Sequence, residues 1–244
     1  MPPKNVLIMV TGSVAAIKLP DLIRRLQNDQ DNQYRIKVAL TEHSLNFFSL
    51  IDIQKLLPEI ESKIIDNISH DTSFDITYPT SSDKSICYPN PFDKVNSFIE
   101  KNENKREKLE KKTIFRDTDE WSNWTIMGDP VLHIVLRNWA HIGLIAPLDA
   151  NTLGKMSSGI CDNLITCILR AWDMEKPLIY APAMNVNMWT HPLTSRSLKV
   201  PDELGYIRVG PISKKLACGD TGIGAMAEVE QIVQEVNKIS LTLR

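Results

Sequence analysis

The stretch NVLIMVTGSVAAIK (residues 5–18) changes period in its middle. Residues 5–11 form a short uninterrupted apolar run, the pattern of a parallel strand covered on both faces. Gly12 breaks the run, and residues 15–28 then place Ile17, Leu22, Ile23 and Leu26 at helical spacing, with Pro20 tolerated near the first turn. A second strand follows at 34–41 (YRIKVALT) and a further helix begins within 43–56, so the chain opens as a β-α-β unit. The same N-terminal letters also have the outline of a signal peptide with a small-residue cleavage site. Its positive region, however, is Lys4 alone, and Thr11-Gly12-Ser13 interrupts the apolar run. A buried strand accounts for the letters better, and the chain reads as cytoplasmic.

Downstream the alternation resumes. A helix is expected at 130–140, opened by a capping Asp129 and by Pro130, with a strand at 142–147. Helices at 149–158 and 162–172, a strand at 177–182, a helix near 185–198, a strand at 205–209 and a final helix at 226–239 complete the pattern. Strands alternating with helices predict an α/β fold: a doubly wound, flavodoxin-like or Rossmann-like parallel sheet with helices on both faces. The polar stretch at about 66–113, ending in the charge run KNENKREKLEKK (101–112), reads as a surface insertion in a single domain spanning 1–244.

Composition narrows the function classes. With 43% hydrophobic residues the chain has ample material for a core, which excludes whole-chain disorder. A net charge of -2 lacks the basic excess of a nucleic-acid binder. No uncharged apolar run approaches the ~18–20 residues of a membrane span. The cysteines Cys87, Cys161, Cys167 and Cys218 are too scattered for a disulfide scaffold, and Cys161 and Cys167 read as packing residues. Without CxxC or HExxH, no metal is expected.

In a doubly wound sheet ligands bind beyond the carboxyl ends of the strands, here just after residues 11, 41, 147 and 182. Gly12 and Ser13 make either an ordinary strand-to-helix turn or a cradle for one phosphate; a lone glycine does not make the GxGxxG of a pyrophosphate site. Thr41 and Ser44 carry hydroxyls that can reach the same phosphate. Asp149 and Asn151 suit either helix capping or ligand contact. Asn185 stands between Met184 and Met188 in an apolar stripe, where an amide needs partners. Cys218 sits in ACGDTGIG (217–224), whose glycines describe a mobile flap. His133 lies on the 130–140 helix among Leu132, Ile134 and Val135, as a structural or a functional histidine.

TGSVAAIK (11–18), DPVLHI (129–134), APLDANTLGK (146–155), PAMNVNMW (182–189) and ACGDTGIG (217–224), in that order, resemble the homo-oligomeric flavin-containing cysteine decarboxylases. The resemblance runs through residues 5–56 and 117–240. One departure is visible: the family's Pro-Ala-Ser-Ala-Asn-Thr stands here as Pro147-Leu148-Asp149-Ala150-Asn151-Thr152.

The resemblance implies flavin mononucleotide (FMN) as cofactor, 4′-phosphopantothenoylcysteine as substrate, and 4′-phosphopantetheine and carbon dioxide as products. Direct loss of that carboxylate would leave a carbanion beside an amide nitrogen without an electron sink. Oxidising the thiol to a thioaldehyde first places a C=S group β to the carboxylate, and this accepts the electrons as an enethiolate. The resemblance makes His133 the base or orienting group, Asn185 the grip on the substrate carboxylate, and Cys218 the acid that protonates the enethiolate. It makes Gly12, Ser13, Val14, Thr41, Ser44, Asp149, Ala150, Asn151, Thr152 and Ala183 the flavin contacts. It also implies a homotrimer, with His133 of one subunit meeting Asn185 and Cys218 of the next. A Cys–His–Asn thiol hydrolase would use the same three side-chain types, but its nucleophile usually opens a helix and it needs no flavin. A fungal-type regulatory subunit that inhibits a protein phosphatase, alone or with a paralogous subunit, is the other alternative. A pull-down with phosphatase catalytic subunits would identify that role.

Overall fold

The computed structural model describes residues 2–59, 103–215, 219 and 221–243. β1 (Lys4–Val10) lies at the centre of a six-stranded sheet, between β2 (Tyr34–Leu40) and β4 (Ile142–Leu148). Its side chains alternate between two cores: Val6, Ile8 and Val10 face one, Leu7 and Met9 the other, and all five are fully buried. Burying each is worth about 1.5–3 kcal/mol, which is why the run is apolar at every position rather than at every second one.

With β3 (Ile114–Arg116), β5 (Leu178–Pro182) and β6 (Ile207–Arg208), the sheet order is β3-β2-β1-β4-β5-β6, and every pairing is parallel. The expected doubly wound sheet is present. Its order reverses between β1 and β4, the switch point at which a crevice opens beyond the strand ends. On one face α1 (Leu19–Gln27), α2 (Leu50–Leu56) and α10 (Val229–Thr242) bury Leu22, Ile53 and Ile232. On the other, α3 (103–111), α5 (Leu132–Trp139) and α7 (Leu164–Arg170) bury Leu109, Leu136 and Ile165.

Several elements differ from the sequence expectations. The helix expected over 15–28 begins as a 3-10 turn, Val14–Lys18, and becomes α1 only at Leu19, one residue before Pro20. The helix expected near 185–198 is two, α8 (Val186–Thr190) and α9 (Pro192–Glu203). His191 separates them in extended conformation, as the ring of the following proline favours. The glycine-rich stretch read as a loop includes β8 (Thr221–Ala225), which pairs antiparallel with β7 (Ile212–Lys215). Cys161 and Cys167 are not the packing residues expected. Asn163 caps α7, which leaves Cys161 outside the helix and exposed, while Cys167 is half-buried.

Residues 60–102, which include the stretch read as an insertion up to residue 102 and Cys87, lie outside the described residues. Residues 103–113 are framework. Leu109 of α3 is 1% exposed, and the buried Lys37 on β2 donates to the carbonyls of Leu109 (2.8 Å) and Glu110 (3.0 Å). Thr113 Oγ1 donates to Leu57 O at 2.7 Å, joining the end of α2 to the strand that follows α3.

Candidate active site

Thr11, the first residue after β1, is fully buried. Its Oγ1 donates to Pro147 O (2.9 Å) and accepts from the Asp149 amide (2.8 Å), so one hydroxyl joins the two central strand ends across the switch point. A Cβ on Gly12 would stand 2.7 Å from His43 Cβ, so the turns after β1 and β2 approach too closely for any side chain there. Ser13 caps the 3-10 turn through the Ala15 amide (3.4 Å), and Val14 beside it is exposed. The amides of Gly12 and Val14 make no hydrogen bond among the described residues.

The hydroxyls expected to reach a phosphate from the second strand end serve the main chain. Thr41 Oγ1 donates to Val10 O (3.4 Å) and Ser44 Oγ to Thr41 O (2.6 Å), both from buried positions. They build the turn that crowds Gly12. Asp149 caps α6 (Ala150–Ser158) through the Thr152 amide at 2.7 Å, with Ala150 and the exposed Asn151 in the first turn and Thr152 buried.

At the end of β5, the buried Ala183 donates its amide to Leu148 O (2.9 Å), and Met184 donates its amide to Gly224 O (2.9 Å). The second bond docks β8 on the exit of β5. Gly224 has φ +151°, and a Cβ there would meet Met184 O at 2.4 Å; one on Gly222 would meet the Val186 methyls at 3.1 Å. Asn185 stands at this junction, half-buried, capping α8 by accepting from the Asn187 amide at 2.8 Å. Cys218 falls between β7 and β8, outside the described residues.

His133 lies in the first turn of α5, which runs back from the carboxyl edge of the sheet to the start of β4. Its ring Nδ1 is 2.6 Å from Glu120 Oε1, and its amide donates to Glu120 Oε2 at 3.0 Å. Glu120 belongs to α4 (Asp117–Asn123), a helix fixed by its own acidic first turn. Asp117 Oδ1 accepts from the Leu164 amide (2.9 Å), and Asp119 accepts from the Arg116 amide (2.8 Å) and from Lys112 (2.6 Å). Burial pushes the Asp117 carboxyl above its usual range. Asp129 does not cap α5 as expected. Its Oδ2 accepts from Lys105 (2.6 Å) and from the amides of Thr125 and Ile126 (2.7 and 2.9 Å). The Lys105 ammonium holds that carboxyl well below the ordinary value. Sequence reasoning missed Glu120 and Lys105. Glu120 lies in DEWSNW (119–124), and nothing in the spacing of those residues aims a carboxylate at a histidine thirteen positions on.

The flavin-contact candidates thus gather at the ends of β1, β2, β4 and β5. His133 belongs to the α4–α5 cluster, and Asn185 to the β5–α8–β8 junction. Along the segment that leads from α4 to α5, Trp121 and Met127 are 78% and 85% exposed, and Trp124 and Ile126 also stand in solvent. Among the described residues no His, Cys, Asp and Glu group is placed to hold a metal, and no helix is long and apolar enough to cross a membrane.

The Flavoprotein family profile matches residues 1–240. The chain is 40% identical over 235 residues to phosphopantothenoylcysteine decarboxylase of Mus musculus, covering 96% of this chain and 86% of that protein. Among solved structures, a PPC decarboxylase Cys-to-Ser mutant complexed with pantothenoylaminoethenethiol is 37% identical with a TM-score of 0.70, over 97% of this chain and 98% of that one. The FMN binding protein AtHal3 is 37% identical with a TM-score of 0.68, over the full length of both chains.

Proposed function

Because the chain belongs to the Flavoprotein family, and within it to the phosphopantothenoylcysteine decarboxylases, we propose that it performs the FMN-dependent decarboxylation of 4′-phosphopantothenoylcysteine to 4′-phosphopantetheine in coenzyme A biosynthesis. The observation that carries this reading is a meeting of parts at one edge of the sheet. The side-chain-free turn at Gly12, the Ala183–Asn185 exit of β5 and the hairpin docked on that exit lie around the switch-point crevice.

The residues fit the cofactor. The uncommitted amides of Gly12 and Val14, with the Ser13 hydroxyl, are donors for a single phosphate, and the first turn of α6 and Ala183 border the same crevice. FMN, when bound, supplies the two-electron acceptor and donor. The chain's residues bind, orient and move protons. Asn185 grips the substrate carboxylate with its amide, whose orientation is set by the bond from Asn187 N to its Oδ1. His133 takes the substrate's thiol proton. Cys218 delivers a proton to the enethiolate, a task suited to a thiol with an ordinary pKa of ~8.5 and not to a far less acidic alcohol.

The working assembly is a cytoplasmic homotrimer in which His133 of one subunit faces Asn185 and Cys218 of the next. Support comes from the exposed Trp121, Trp124, Ile126 and Met127 on the segment between Glu120 and α5, since large apolar side chains grouped in solvent mark interfaces.

The test is the visible spectrum of the purified protein, mass analysis of the released cofactor, and carbon dioxide release from synthetic substrate. A dinucleotide, or no flavin after reconstitution, sinks the reading. Cys218→Ser should release carbon dioxide for about one turnover and accumulate an oxidised enethiol, whereas His133→Asn should release none. Mixed and reassembled, His133→Asn and Cys218→Ala should recover part of the activity; no recovery in verified mixed trimers places the site within one subunit.

A further inference from the structure

One carboxylate makes both hydrogen bonds that fix His133. Glu120 Oε1 lies 2.6 Å from the ring Nδ1, and Oε2 accepts the backbone N–H of the same residue at 3.0 Å. The Glu120 side chain is 11% exposed, so water competes little for either oxygen. Its helix cannot easily swing away, because Asp117 and Asp119 tie α4 to Leu164, Arg116 and Lys112.

A carboxylate has only acceptors, so in the neutral ring Nδ1 must carry the proton and Nε2 the lone pair. Nε2 makes no hydrogen bond among the described residues. The titratable groups that surround the Cys167 thiol together with Glu120 are Asp117 on α4 and Cys161 and Asp162 ahead of α7. The Cys167 thiol is pushed up by burial and then by Glu120, Cys161, Asp162 and Asp117. None of these offers Nδ1 a second partner, and Lys112, the nearby cation, is engaged with Asp119.

We propose that Glu120 is the positioning residue of the decarboxylase: it selects the His133 tautomer whose Nε2 is basic, sets the ring's angle, and stabilises the imidazolium formed in turnover. This rests on the proposed role of His133. In that step the substrate S–H bond breaks, its proton forms an N–H bond at Nε2, and the electron pair stays on sulfur. The ring then carries a positive charge beside the Glu120 carboxylate. Glutamine cannot replace it, because an amide offers one oxygen to two donors and turns its NH2 towards the other.

The experiment compares wild type with Glu120→Gln, adding Glu120→Asp as the shorter acid and His133→Asn as the reference loss. In 15N-histidine NMR spectra of wild type, the His133 ring should be the Nδ1–H tautomer; in Glu120→Gln that preference should be lost. kcat should fall at least about tenfold, with KM and FMN content within about twofold. Glu120→Asp should recover part of kcat, since it restores the charge, and it also serves if the glutamine variant does not fold. An unchanged tautomer, or an unchanged kcat while His133→Asn is inactive, overturns the role of Glu120. Activity in His133→Asn overturns the reading of His133 itself.

Discussion

Lys37 is the buried cation of the sheet, and its titration should be visible in the protein's stability. It is 1% exposed, with Nζ bonded to the Leu109 and Glu110 carbonyls and lying 5.3 and 5.1 Å from the Phe115 and Trp139 ring centres. Burial lowers its pKa from 10.5 to about 8. The unfolded chain therefore holds this proton more tightly than the folded one, and between pH 8 and 10.5 stability rises with pH. A drop of that size disfavours the folded state by about 3 kcal/mol at pH 7, of which about 2.5 kcal/mol disappears by pH 10. Lys37→Met keeps the stem and removes the titration. Urea unfolding of both proteins, followed by tryptophan fluorescence at matched protein and FMN concentrations, should show the wild type gaining about 2.5 kcal/mol on the variant between pH 7 and pH 10. A difference that stays flat, or moves against the wild type, would refute the reasoning.

Three further outcomes are expected. Gly12→Ala should fold but purify with little FMN, because its methyl forces the β1 and β2 turns apart at His43; the absorbance ratio of flavin to protein measures it. Gly224→Ala should retain flavin and lose at least about tenfold in kcat/KM, since it cannot keep φ +151° against the Met184 carbonyl and the hairpin undocks. Deleting residues 84–112 should not yield soluble protein, because it removes Leu109, the Lys37 partners and the Lys105 ammonium from the buried Asp129; a deletion confined within 60–102 should be tolerated, as circular dichroism would show.

The central strands were legible because they are buried on both faces: the unbroken apolar runs Val6–Val10 of β1 and Ile142–Leu148 of β4 fit a strand covered on both sides. β3 was not, since only Ile114 and Phe115 stand out among charges, and its place is set by pairing with Val38, Ala39 and Leu40. The glycines of β8 disfavour a strand locally, yet Gly222 and Gly224 are what allow it to lie against Val186 and Met184. Tertiary fit overrides propensity there. At the site, Gly12 and Asp149 were readable from their turn chemistry. Glu120 was not, because its partner lies across an interhelix loop, and Thr41 and Ser44 turned inward to main-chain carbonyls that no local pattern reveals.

The bond between Thr113 and Leu57 has a practical consequence. It clamps the points where the chain leaves and rejoins the framework, with only α3, roughly 14 Å of helix, between the clamp and residue 103. The framework thus supplies a hydrogen bond of its own that holds the two ends together. A fluorescent reporter or affinity module spliced between residues 57 and 113 would be anchored next to β3, where the hydroxyl clamp and the pairing of Ile114–Arg116 with Val38–Leu40 hold the crossover in register.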